Sequence, residues 1–135
     1  MLRVRGRTID VAKIGVHTYV VGGLTDHITT WQGVYQTARL YGGGRATFAL
    51  SNGGHIQSLI NPPGNARSWF VAGKARALTP GRWLERQEKT SGSWWPHWRE
   101  WIRARSGPLR QAPASVGDER HPALAAAPGT YVLER

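Results

Sequence analysis

TYVVGGLTDHITTWQGVYQTARLYGGGRATFALSNGGHIQSLINPP, residues 18–63, is the stretch whose reading decides the fold. It reads as strand, acidic loop, helix, strand and histidine loop. Val16 to Val21 places Tyr19, Val20 and Val21 in succession, too apolar for a solvated edge and suited to a buried parallel strand. Gly22 and Gly23 end that strand and deliver Asp26, where Thr25 or Asp26 can cap the next element. Trp31, Val34, Tyr35, Ala38 and Leu40 recur mostly at helical steps and predict an amphipathic helix of about three turns. Gly42, Gly43 and Gly44 stop it as a cap and turn, since no lysine and hydroxyl residue follow as a phosphate loop requires. Ala46 to Leu50 is the second strand; the sharp loop Ser51-Asn52-Gly53-Gly54 delivers His55, and Ile56, Leu59 and Ile60 begin another helix that Pro62-Pro63 halts. Two parallel strands joined through a helix form the minimal α/β crossover, with Asp26 and His55 both at the strands' carboxyl ends, where open α/β sheets place their chemistry.

Outward from this unit the signals weaken. Leu2 to Ile14 alternates apolar and polar residues around Gly6 and suits a short β-hairpin. Residues 64–92 hold only short apolar pieces between Pro80-Gly81 and charges, and are read as irregular with short helices. Ser93 to Ala104, SWWPHWREWIRA, is a helix with Pro96 in its first turn. On it Trp98, Trp101, Ile102 and Arg105 share one face, while His97, Arg99, Glu100 and Arg103 point elsewhere. A tryptophan stripe beside basic residues can bind a membrane interface, and more often lays a helix onto a hydrophobic body. From Ser106 the Pro- and Ala-rich tail reads as extended, with Gly129 to Leu133 as a last strand.

Composition bounds the function. A chain of 135 residues supports one core, and its aliphatic residues concentrate between Val11 and Ile60, whereas every tryptophan but Trp31 lies from Trp69 to Trp101. A formal charge of +10 makes an anionic partner worth testing. Against nucleic acid, the arginines are scattered from Arg3 to Arg135, and no zinc-finger, RNA-recognition or basic-region pattern occurs. No segment approaches 18 consecutive apolar residues and the amino terminus lacks a signal-peptide core, so a cytoplasmic chain without a transmembrane segment is expected. Cysteine is absent, which removes disulfides, thiolate metal sites and a thiol nucleophile from this chain.

An acid after one strand and a histidine after the next match the second half of a nucleophile, acid, histidine triad. The carboxylate fixes the imidazole's tautomer and stabilises the imidazolium that forms when the histidine takes a proton. Asp26, His27 and His55 have no known ligand spacing, so no metal is expected. Beyond this logic, GGLTDHITTWQGVY, TARLYGG, ATFALSNGGHIQSLINPPGN, GSWWPHWREWIRARSG and APGTYVLE resemble, in order, the carboxyl-terminal part of the class I and II polyhydroxyalkanoate synthases, from Leu2 to Glu134.

The resemblance implies a partial α/β-hydrolase catalytic domain over 1–135: a strand, Asp, helix, strand, His unit (1–63), covering helices (64–105) and an extended tail (106–135). It implies an acyltransferase that polymerises 3-hydroxyacyl-coenzyme A into polyester through a cysteine thioester, with no cofactor beyond that substrate. Asp26 matches the family's catalytic aspartate, His55 its general base, and His27 a histidine with a supporting hydrogen bond. It further implies an amino-terminal piece bearing the cysteine as partner, a polyester granule surface as another, granule-associated localisation, and dimers. Thr30 stands where proline is common and Gly53 where serine is common; Gly53 is expected to loosen the loop that aims His55. The family nucleophile lies in a G-x-C-x-G elbow, and Ser115, in PASVG, lacks the first glycine and follows the histidine, the wrong order. A base without a nucleophile cannot begin covalent catalysis, so the chain alone is expected to be inactive. The alternatives are a non-catalytic module binding a granule or membrane through the Trp-rich basic helix, and, third, nucleic-acid binding. Sheet edges stripped of neighbours are expected to make the isolated chain poorly soluble.

Overall fold

The computed structural model describes residues 2–41, 44–76 and 78–134. The chain divides into two units, Met1–Arg105 and Ser106–Arg135.

The first unit opens with a hairpin, β1 (Leu2–Val4) against β2 (Arg7–Ile9). Arg5 and Gly6 turn it with φ of 48° and 76°, the paired positive angles that match strand twist in a two-residue loop. β3 (Thr18–Gly23), α1 (Trp31–Leu40) and β4 (Ala46–Ser51) follow. β3 and β4 are parallel, with Thr18 beside Ala46 and Gly23 beside Ser51. The crossover expected from sequence is therefore present, but its first strand starts two residues later, with Val16 exposed, and lies half-buried at the sheet edge instead of buried within it, since only β4 pairs with it among the described residues. Of the helix's apolar stripe, Trp31, Tyr35 and Ala38 are buried and Leu40 is not. Gly42 and Gly43 lie outside the described residues; α1 closes at Tyr41, whose N–H bonds the Ala38 carbonyl.

Residues 64–92 are more regular than the sequence suggests. β5 (Trp69–Lys74) pairs antiparallel with β4, and the two-residue β6 (Thr90–Ser91) pairs with β5, giving a mixed sheet ordered β3-β4-β5-β6. Between them α2 (Pro80–Glu85) starts on Thr79, whose hydroxyl accepts from the Arg82 N–H. A four-residue apolar run such as WFVA does not declare strand or helix by periodicity; its pairing with β4 decides. The helix expected after Ile56 is only one turn, closed by Ile60 N–H to Ile56 O at 2.9 Å. Pro62 and Pro63 stop propagation before the nucleation cost is recovered.

Register parity builds the layers, because alternate side chains take opposite faces. Phe48, Leu50 and Val71 share one face, where α1 and α2 supply Tyr35 and Trp83. The Tyr35, Phe48 and Trp83 rings lie 5.1–5.4 Å apart between centroids. Their polar tips are satisfied, Tyr35 Oη donating to Arg76 O (2.9 Å) and Trp83 Nε1 to Lys74 O (3.1 Å). Tyr19, Thr47 and Phe70 share the other face, and α3 (Trp95–Arg103) covers it. His97, expected to point away, instead faces that side: its ring lies 5.7 Å from Tyr19 and 5.8 Å from Phe70. Trp101, one turn on, packs on Tyr19 and donates to Thr47 Oγ1 at 3.2 Å. Trp98 is left 40% exposed.

In the second unit, Gly117 and Pro122 form one isolated bridge, and the Asp118 carboxylate accepts from the N–H groups of Arg120 and His121. Gly129 to Leu133, expected as a strand, contains a short 3-10 turn at Tyr131–Leu133.

Candidate active site

β3 and β4 end side by side, and their loops continue the pairing. Leu24 N–H bonds Ser51 O at 2.8 Å and Thr25 N–H bonds Gly53 O at 3.3 Å. Two glycines permit this closeness. A Cβ on Gly23 would lie 2.8 Å from the Gly53 carbonyl oxygen, and one on Gly53 would lie 2.8 Å from the Ser58 nitrogen. Gly53 therefore tightens the histidine loop, the reverse of the loosening expected, because backbone occupies the space a side chain would need.

Asp26 and His55, 29 positions apart in the chain, meet through Oδ2 and Nδ1 at 2.9 Å. Asp26 Oδ1 accepts from the N–H groups of Ile28 and Thr29, each at 2.9 Å. Asp26 thus caps the turn ahead of α1 and not the helix, whose N-cap position is Thr30 with no side-chain cap. The Asp26 side chain is 8% exposed and that of His55 42%. The Thr29 N–H and then His55 hold the Asp26 carboxyl below the ordinary carboxylate range; burial opposes them, and the Ile28 N–H adds to the lowering. An ionised carboxylate on Nδ1 selects the tautomer whose Nε2 is free to accept a proton, and Nε2 has no partner among the described residues. A depression of about 160 Å³ lies beside the pair, lined in part by Gly22, Thr29, Val34 and Leu59.

His27 lies outside the contact, exposed and without a hydrogen bond among the described residues. No three metal-ligating side chains gather among the described residues, and no helix among them is long and apolar enough to cross a membrane. The residues sequence reasoning missed are those behind the loop: Ser51, Ser58, Asn61, Ser68 and Ser93, all buried, with the indoles of Trp94 and Trp95. The N-P-P and S-W-W runs were their only trace.

A mixed α/β sheet thus brings an acid and a histidine together on the loops after two neighbouring parallel strands. No family model matches the chain. It is 48% identical over 134 residues to poly(3-hydroxyalkanoate) polymerase 2 of Ectopseudomonas oleovorans, covering 99% of this chain and 24% of that protein. It is 45% identical over 134 residues to polymerase 1 of the same organism, with the same coverage. With the poly(3-hydroxyalkanoate) polymerase subunit PhaC of Cupriavidus necator the identity is 37% over 131 residues, covering 97% and 22%. The chain is a homologue of the carboxyl-terminal part of the poly(3-hydroxyalkanoate) polymerases, and it spans about a quarter of the length of these relatives.

Proposed function

We propose that the chain is the base-bearing segment of a polyhydroxyalkanoate synthase catalytic domain of the α/β-hydrolase type, inactive until joined by a segment that carries a cysteine nucleophile. The 2.9 Å contact between Asp26 and His55, in a chain homologous to these polymerases, carries the reading. His55 Nε2 takes the proton of the cysteine thiol. The thiolate attacks the thioester carbonyl of a hydroxyacyl-coenzyme A, the acyl group passes to the cysteine, and the departing coenzyme A thiolate takes the proton back from the imidazolium. Asp26 stays ionised throughout, holding the ring and its transient charge. For elongation the same Nε2 removes the proton from the attacking hydroxyl, so one base serves both halves of the cycle.

The test pairs this chain with the cysteine-bearing remainder of the Ectopseudomonas oleovorans polymerase 2, co-expressed and co-purified, and follows coenzyme A release from a 3-hydroxyacyl-coenzyme A. Release is expected from the complex and from neither piece alone. His55→Gln should lower it by about 10²-fold or more, the range for loss of a positioned base. A purified complex that releases no coenzyme A, or one indifferent to His55→Gln, would overturn the proposal.

A further inference from the structure

Five polar residues of the described chain are fully or nearly buried, Ser51, Ser58, Asn61, Ser68 and Ser93, and all five converge on the back of the loop that carries His55. Asn61 is their hub. Its Oδ1 accepts from Ser68 Oγ at 2.8 Å, its Nδ2 reaches Ser51 Oγ at 3.5 Å, and its backbone carbonyl accepts from Ser93 Oγ. Ser93 Oγ in turn accepts from the Trp95 N–H at 3.0 Å. Two indoles complete the grip: Trp94 Nε1 donates to Ser58 O at 2.7 Å and Trp95 Nε1 to Leu59 O at 3.1 Å. These are carbonyls that a single unpropagated turn leaves without helical partners.

The loop is thereby fastened to β4 through Ser51, to the start of β5 through Ser68, and to α3 through Ser93 and both tryptophans. α3 is itself anchored on the sheet, because Tyr19 Oη and His97 Nδ1 share a 2.8 Å hydrogen bond and Trp101 reaches Thr47. None of these groups hydrogen-bonds to the Asp26 carboxylate or the His55 ring among the described residues. They fix the backbone from which the ring projects.

We infer that Asn61, with the paired indoles of Trp94 and Trp95, is a positioning device that holds His55 in register with Asp26. The inference rests on the base role proposed for His55, but its test reads the pair directly and needs no catalysis. A buried network with every member satisfied fixes one arrangement, and a partly satisfied one releases it; among the described residues no buried side-chain N or O lacks a partner. The amino-terminal end of α3 thus acts on the histidine from behind, which accounts for two adjacent tryptophans ahead of Pro96.

The experiment is ¹H–¹⁵N NMR of the full chain, uniformly ¹⁵N-labelled, reading the His55 Nδ1–H resonance and the tautomer shifts of both ring nitrogens. Trp94→Phe and Asn61→Ala are compared with Trp83→Phe, which removes the same kind of indole donor from the opposite face of the sheet. The first two should broaden or abolish the Nδ1–H signal and mix the tautomers, and Trp83→Phe should leave both unchanged at comparable loss of thermal stability. Exchange at the Ser58 and Ile60 amides should quicken roughly tenfold in Trp94→Phe, the size that one lost hydrogen bond of ordinary strength allows. An unchanged His55 signature in folded Trp94→Phe, or equal changes in Trp83→Phe, overturns the assignment. Hydrogen exchange in the unaltered chain decides it independently of whether the variants fold. The Ser58 amide and the Trp94 indole N–H should exchange in step, and a Ser58 amide that exchanges far ahead of a protected Trp94 indole is the contrary result.

Discussion

At the scale of single residues, Asp26 does two jobs with one carboxylate. Its hydrogen bonds from Thr29, His55 and Ile28 keep it ionised below the ordinary aspartate range. A carboxyl whose folded pKa is depressed contributes stability above its unfolded value of about 4, and loses that contribution as pH falls through the folded value. The thermal midpoint should therefore drop on acidification below about pH 4, the unfolded aspartate value, and Asp26→Asn should flatten part of that slope. Glu100, held low chiefly by Arg99, leaves a remainder in the same window. Gly53 makes a steric prediction. Gly53→Ser sets a Cβ against the Ser58 nitrogen and should cost about 1–3 kcal/mol in denaturant unfolding, as overpacking does. The placing of Asp26 and His55 side by side was legible because each follows a strand and a glycine pair. The buried serines and Asn61 were not, since short polar residues carry no periodicity until their partners are known.

At the scale of elements, α1 and β4 announced themselves through long, regular patterns, and β5 did not. Its partner β4 converts four apolar residues into a strand, a case of pairing overriding a weak local signal. The same dependence places α3. Its sequence offers two faces, and contact with Tyr19 and Phe70 selects the one bearing His97. Burial lowers the His97 pKa. Below the unfolded histidine value of about 6.5 the unfolded chain then binds more protons, so stability falls as pH drops from there through the folded value. Thermal melts between about pH 7 and pH 5, bracketing that unfolded histidine value, should show this loss, and His97→Gln should remove it while leaving the lower, carboxylate-dependent slope. On the other face Trp83 is 1% exposed, and Trp83→Ala should cost about 3–5 kcal/mol, the range for emptying a buried aromatic site. Trp101 is committed to Tyr19 and Thr47, so its replacement should register first as lost stability.

At the scale of the whole molecule, the chain is a layered α/β unit of Met1–Arg105 followed by Ser106–Arg135, where regular structure is sparse and side chains are exposed. Limited trypsin digestion should therefore cut after Arg110 and Arg120 before it cuts at Arg82 and Arg86, which lie at α2; mass spectrometry of early fragments reads the order, and first cleavage within α2 would contradict it. By itself the sequence determined the parallel crossover and the end of the sheet at which Asp26 and His55 lie, because strand period, helix period and glycine breaks are local properties of the chain. Tertiary structure alone decided that β5 extends the sheet, that His97 faces inward and that Asn61 and two indoles hold the histidine loop. Those outcomes depend on which residues distant in sequence share a face, and a satisfied hydrogen bond or a filled contact exists only once both partners are in place.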